Sequence, residues 1–307
     1  MRPAAPSTDP AQAHRAEMEA AFGGNASTYD QALPFFATIA DRLADAIGDR
    51  LTGPPGVLVD VAAGRGALAR AMSARYPRAL TVASDLSLGM VRAAAGNAAA
   101  HVHHVQADAE LLPLRSGLAD AVGCSTSLRL FVSPAAAVRQ LRRVTRPGGV
   151  LGVSELGPSD AKWGFFGDML RRELRRAGVR PTHGAARPQA LPQLVAAGGF
   201  TQCVSFEETF TFEFVDESHW WEWVQSQSQG HLVRGLGDGA APLREAALAV
   251  VRDFRPMDLR QRVRFLTALA QPSVTGQADR KPLETAQLDG GLAHGCAGEL
   301  EAGVSAQ

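Results

Sequence analysis

The chain has 307 residues, 46% apolar and 20% charged, with 31 glycines and 18 prolines. That is an ordinary globular composition, long enough for one large domain or two small ones with a sizeable core. Thirty-one basic residues balance 31 acidic ones, which excludes the basic surplus that draws a protein to nucleic acid or to an anionic membrane. Cys124, Cys203 and Cys296 lie far apart, with no metal spacing and no disulfide framework, so a reducing cytoplasm is expected. The N-terminus has no apolar run of a secretory signal, and no uncharged stretch is long enough to suggest a membrane span. Lys162 and Lys281 are the only lysines; with so much alanine, glycine and arginine, the composition suggests a GC-rich bacterial genome.

In chain order, residues 1–13 are polar, rich in Ala and Pro, and expected to be disordered. Residues 14–22 read as a short helix, followed by a polar loop over 23–30. Phe35, Ile39, Leu43 and Ile47 have helical spacing with one buried face over 34–49, ended by the Gly53-Pro54-Pro55-Gly56 turn. Strands and helices then alternate: strand 57–61, helix 66–76, strand 80–84, helix 88–99, strand 101–106, strand 118–125, helix 134–145 and strand 150–155. The strands are short continuous apolar runs, as expected when helices cover both faces of a parallel, doubly wound α/β sheet. Beyond 156 the alternation loosens. Helices are expected over 163–177 and 188–198, a period-two strand over 203–214, helical structure over 217–255 and an antiparallel closing strand over 261–270. Residues 272–307 are expected to form a flexible tail.

The sharpest local feature is Val57-Leu-Val-Asp-Val-Ala-Ala-Gly-Arg-Gly66: a strand, an acidic residue at its end, a turn of small residues and a helix start. Small residues allow close backbone approach, and a helix start offers free N–H groups. Residues 64–69 fit the dinucleotide pattern G-x-G-x-x-G/A, with Asp85 19 residues past Gly66 as a ribose-binding acid. A tight strand-to-helix connection with no ligand is a second reading. Asp60 favours a third, because its carboxylate would repel a pyrophosphate but suits a phosphate-free ligand carrying an ammonium group, such as S-adenosylmethionine (SAM).

Four segments in order then resemble the class I SAM-dependent methyltransferases, near the ubiquinone/menaquinone C-methyltransferases and the small-molecule methyltransferases of actinomycetes. They are VLVDVAAGRG (57–66), ASDLSLGMVRAA (83–94), VQADAELLPL (105–114) and LRRVTRPGGVLGVSEL (141–156). The resemblance implies a Rossmann-like, mostly parallel seven-stranded sheet with N-terminal helices and a helical cap inserted near the last strands. It divides the chain into a helical cover over 14–50, a SAM-binding core over 51–160, and a cap with the last strands over 161–271. It implies that Asp60, Ala62, Gly64 and Gly66 form the cofactor turn and that Asp85 holds the ribose hydroxyls. Leu86 would pack against the adenine, with Met90 a further cofactor-binding residue in the following helix; Asp108 would accept from the adenine amino group, and the Ala109 N–H would face the ring. Many members have glycine where Ala62 stands. The N-terminal FGGNASTYD also resembles the family, placing Tyr29 near the SAM carboxylate and Phe22 over the cofactor. A homodimer is a further family-level implication.

Ligands of open α/β sheets bind beyond the carboxyl ends of the strands, so Ser125 and Thr126 are expected to face cofactor or acceptor, with Arg129 in the same loop. The stretch 214–235, where this family inserts helices of variable sequence, is read as the substrate cap. Trp220, Trp221 and Trp223 cannot share one helix face, and clustered aromatics suit a flat apolar acceptor. His231 is the candidate general base. On a strand His101 and His103 share a face while His104 points the other way, with no Cys or carboxylate partner to complete a site, and no metal is expected. The function implied is methyl transfer from SAM to an O, N or C atom of a small specialised metabolite, in natural-product or antibiotic biosynthesis. The alternative is a SAM-binding cyclase or isomerase that transfers no methyl group.

Overall fold

Asp9 and Pro10 start the first helix. The Asp9 side chain accepts from the Ala11 N–H at 3.0 Å and Pro10 takes the first helical position, where its missing N–H costs nothing. Helix α1 (Pro10–Gly23) therefore begins four residues before the expected start at 14. The computed structural model describes residues 9–96, 101–179 and 190–271; the expected tail over 272–307 lies outside them. Helix α2 (Phe35–Gly48) buries Phe35, Ile39, Leu43 and Ile47. Asp30, at a left-handed φ of 58°, receives the Phe36 and Ala37 N–H groups at 2.9 and 3.1 Å and fixes where α2 starts.

The alternating region follows the expected order: β1 (Val57–Val61), α3 (Ala67–Arg75), β2 (Leu80–Asp85), α4 (Leu88–Ala95), β3 (Val102–Gln106), β4 (Ala119–Ser125), α5 (Pro134–Val144) and β5 (Thr145–Ser159). Then come α6 (Gly164–Arg176), α7 (Leu191–Ala197), β6 (Phe200–Glu213), α8 (Glu217–Ser226), α9 (Ser228–Arg234), α10 (Ala240–Val251) and β7 (Asp258–Ala270). The seven strands form one sheet in the order β3-β2-β1-β4-β5-β7-β6. The first five are parallel, while β7 lies antiparallel between β5 and β6. Residues 217–255 divide into three α-helices and a short 3-10 turn, all between β6 and β7 in the chain.

Apolar clusters cover both faces of the sheet. On one face α2 packs so closely that a Cβ at Gly152 would lie 2.4 Å from Ile47 Cγ1, so glycine is required there. The last strands are longer than their apolar runs suggested. Ser154 of β5 pairs with Ser125, the end of β4, yet β5 continues to Ser159, paired with Gln261 of β7. The β6–β7 ladder continues to the Glu213–Asp258 pair. An antiparallel ribbon thus projects past the carboxyl ends of the parallel strands.

Candidate functional site

A cavity of about 400 Å³ opens at those carboxyl ends. Its floor is the turn after β1. Gly64 has a φ of 54° and Gly66 one of 76°, conformations that favour residues without a Cβ. A side chain at Gly64 would project into open space, so the turn leaves a cradle for a ligand. Ala62 adopts the same left-handed region, at φ 55°, which costs an L-residue roughly 1–2 kcal/mol. Ala62→Gly is therefore expected to leave the fold equally stable or more stable by up to about 1 kcal/mol, because glycine removes the strain but adds unfolded-state entropy. Urea unfolding measures this; a loss of stability would show that the alanine methyl packs usefully.

Asp85 braces the turn. One carboxylate oxygen accepts from the Gly64 N–H at 2.8 Å and the other from the Ser87 N–H at 2.9 Å. Burial raises its pKa, and those two N–H groups oppose the rise. Each oxygen keeps a lone pair, and Asp85 lines the cavity beside Leu86, Met90, Ala107, Asp108 and Ala109. Asp108 accepts from the Glu110 N–H at 2.8 Å and from Arg15 Nε at 2.6 Å. Arg15 Nη2 also reaches Glu110 at 3.2 Å. This pairing carries α1 over the cavity, where His14, Met18 and Phe22 join the lining. Apolar Leu86, Met90, Ala107 and Ala109 beside a carboxylate acceptor are a lining whose chemistry suits an adenine with its amino group.

A second cavity, of about 270 Å³, adjoins the turn and is lined by Asp30, Asp60, Arg65, Arg70, Ser125 and Thr126, among others. Tyr29, Ala62, Gly64, Thr126 and Ser127 line both cavities. Asp60 is buried and accepts from the Ala69 N–H at 2.9 Å, at the start of α3. Burial pushes its carboxyl up to about 8, and Asp85 adds to the rise. Burial lifts Asp30 to about 6 and raises the Tyr29 phenol. Tyr29 stacks on Phe36, with centroids 5.1 Å apart. Two carboxyls and two guanidinium groups thus line one recess. Thr126 has a φ of 55°, unusual for a β-branched residue. Its N–H is held by the Ser154 hydroxyl and carbonyl oxygens at 3.1 and 3.0 Å.

The far end of the larger cavity is aromatic. Trp163, Phe166, Trp220 and Trp223 line it. Trp163 stacks on Trp220 with centroids 5.7 Å apart, and Phe166 and Trp220 meet edge to face at 5.4 Å. The α8–α9 turn supplies Gln227, Ser228 and Gln229. Buried Asn25 ties that turn to the N-terminal loop, donating to the Gln227 carbonyl at 2.8 Å and accepting from Arg234.

The structure brings Tyr29, Ala62, Gly64, Asp85, Leu86, Met90, Asp108, Ala109, Phe22, Thr126, Trp220 and Trp223 to the larger cavity, and Asp60 and Ser125 to the smaller. Four expected residues stand elsewhere. Gly66 supports the turn from behind as the cap of α3. Trp221 is buried against Phe166, as core. Arg129 is drawn outward by an ion pair with Glu155 at 2.6 Å. His231, on α9, lines neither cavity, which removes the geometric case for it as a base. Sequence reasoning missed Arg15, Trp163 and Gln261. The first two carry no local signal. Gln261 does: it is the lone polar residue in the inward row Leu259, Gln261, Val263, Phe265, opposite arginines at 260, 262 and 264.

Residues 59–153 match the family described as "Methyltransferase domain". The chain is 33% identical over 167 residues to the ubiquinone/menaquinone biosynthesis C-methyltransferase UbiE of Syntrophotalea carbinolica, covering 52% of this chain and 70% of that protein. The chain belongs to the class I SAM-dependent methyltransferases. Its cofactor is SAM, and the turn, Asp85 and Asp108 fit that group. This methyltransferase chain is also 32% identical over 158 residues to a malonyl-[acyl-carrier protein] O-methyltransferase of Laribacter hongkongensis, covering 48% of this chain but only 53% of that relative. The YcgJ protein of Bacillus subtilis shares the fold at a TM-score of 0.51 and 17% identity, over 75% of this chain and 98% of that one. Among the described residues of the methyltransferase, no helix is long and apolar enough to cross a membrane, and no group of three or more His, Cys, Asp or Glu is placed to hold a metal ion.

Proposed function

We propose that the chain transfers the methyl group of SAM to an O, N or C atom of a small apolar or aromatic acceptor, a specialised metabolite handled in the cytoplasm. One observation carries the reading: a single cavity runs from the Asp85–Asp108 end to the wall of Trp163, Phe166, Trp220 and Trp223. SAM supplies an electrophilic methyl group on a cationic sulfur. Asp85 and Asp108 would hold its nucleoside, and Asp60 with Arg65 and Arg70 its amino-acid end. The aromatic wall would align a flat acceptor and exclude water. The titratable groups of the cavity are His14, Arg15, Tyr29, Asp85, Asp108 and Glu110. His14, Arg15, Asp108 and Glu110 are committed to α1 and its neighbours, with His14 Nε2 2.7 Å from the Leu130 carbonyl. The contribution of the protein is then proximity and orientation, and the nucleophile relies on its own ionisation.

The test is incubation with methyl-labelled SAM and a panel of phenols, naphthols, hydroquinones and aromatic amines. Labelled product is expected, with a pH–rate profile that follows the pKa of each acceptor, and His231→Ala is expected to keep turnover within about twofold of wild type. Conversion of an acceptor without label would assign the non-methylating alternative. A large rate loss in His231→Ala with unchanged SAM affinity would restore the base.

A further inference from the structure

Gln261 is out of keeping with its surroundings. On β7, Leu259, Gln261, Val263 and Phe265 point to one face, and all four are buried. Their neighbours Arg260, Arg262 and Arg264 point to the other face. The pattern calls for an aliphatic residue at 261, since a buried polar group costs free energy unless its hydrogen bonds are met. Half of the amide is explained. Nε2 donates to the Gly157 carbonyl at 2.8 Å and to the Arg262 carbonyl at 2.7 Å. Both partners are carbonyl oxygens, so the amide orientation is fixed: nitrogen faces them and oxygen faces away. Both N–H bonds are spent, and Oε1 is left in a side chain that lines the cavity with Leu156, Ser159, Trp163 and Leu259.

We infer that Gln261 orients the methyl acceptor, its Oε1 accepting a hydrogen bond from a hydroxyl or N–H group on an otherwise apolar ring system. This rests on the reading of the aromatic end as the acceptor site. Gln261 is a positioning and specificity residue there, with no part in bond making. The bulge where β5 slips register against β7, between Leu156 and Ser159, supplies the carbonyl that locks the amide. A carbonyl-only acceptor in an apolar wall selects against a substrate whose donor has already been capped by a methyl group. Where the bonded donor is the group that is methylated, the same contact favours substrate over its ether or N-methyl product.

Calorimetry on the full chain saturated with S-adenosylhomocysteine tests this. The probes are 1-naphthol, 2-naphthol and indole, each paired with its O- or N-methyl counterpart. In wild type, at least one donor probe is expected to bind about 3- to 10-fold more tightly than its methylated partner, the range for one net hydrogen bond. Gln261→Met, of similar length but with no strong acceptor, should erase that ratio while leaving the methylated probe's affinity within about twofold. Gln261→Glu in its protonated form can donate to one of the two carbonyls while its other oxygen accepts, so below about pH 5 it should keep the ratio above one where Gln261→Met does not. Absence of discrimination in wild type, or its persistence in Gln261→Met, overturns the assignment. Affinity for S-adenosylhomocysteine, measured first in each protein, separates this outcome from failure of the methyltransferase reading, which would appear as no nucleoside binding in wild type.

Discussion

Replacing Asp85 with alanine is expected to weaken binding of S-adenosylhomocysteine by about 10- to 150-fold, the roughly 1.5–3 kcal/mol of hydrogen bonds to a charged group. The effect has two sources. The ribose hydroxyls lose their acceptor, and the Gly64 and Ser87 N–H groups lose the carboxylate that shapes the turn. Asp85→Asn separates them, because the amide oxygen can still brace one N–H but no longer carries charge. Its loss should be intermediate. Calorimetric dissociation constants within twofold of wild type for both variants would show that the nucleoside sugar lies elsewhere.

The second large effect is on pH. Asp60 is lifted to about 8 in the unliganded protein, whereas an unfolded aspartate titrates near ~3.9. An acid raised on folding stabilises the fold fully below its unfolded value and loses that contribution as pH climbs through the folded one. Unliganded stability should therefore decline from about pH 4 towards pH 8. Asp60→Asn should remove that slope, gaining on the order of a few kcal/mol over wild type at pH 8 and little at pH 4. The ligand acts in the opposite direction. An ammonium beside Asp60 requires the ionised form, so affinity for S-adenosylhomocysteine should rise nearly tenfold per pH unit between about 6 and 7.5 and level off near 8, where the ligand amine itself deprotonates. Binding heats in two buffers of different ionisation enthalpy should show proton release. A flat affinity profile in wild type, equal to that of Asp60→Asn, would mean that the ammonium does not meet this carboxylate.

The residues proposed for the cofactor were legible because their positions are set locally. Asp60, Gly64, Asp85 and Asp108 each sit at a fixed distance from a strand end, and strand ends can be read from short apolar runs. The acceptor half was legible only in part. Trp220 and Trp223 were found by their clustering, but Trp221 beside them is core without reaching the cavity; Trp220 and Trp221 both pack on Phe166, so which of them also borders the cavity depends on tertiary packing and not on spacing. Arg129 and His231 were chosen by chemical type, and their placement depends on an ion pair and a helix ending that no spacing encodes. The full lengths of β5 and β7 escaped notice because Gly157, Pro158 and Ser159 look like a loop. Their strand character comes from pairing with residues about 100 positions later, and propensity yields to such tertiary pairing.

That overhanging ribbon separates two tasks that many enzymes entangle. The groups proposed to grip the nucleoside sit on turns between parallel strands, while Leu156, Leu259 and Gln261, beside the aromatic end of the cavity, stand on backbone pairing among β5, β7 and β6, whose hydrogen bonds are indifferent to the side chains they carry. Inward positions such as 156, 259 and 261 can then be rewritten, by descent or by an engineer, to admit a differently shaped molecule without retuning how the methyl donor is held.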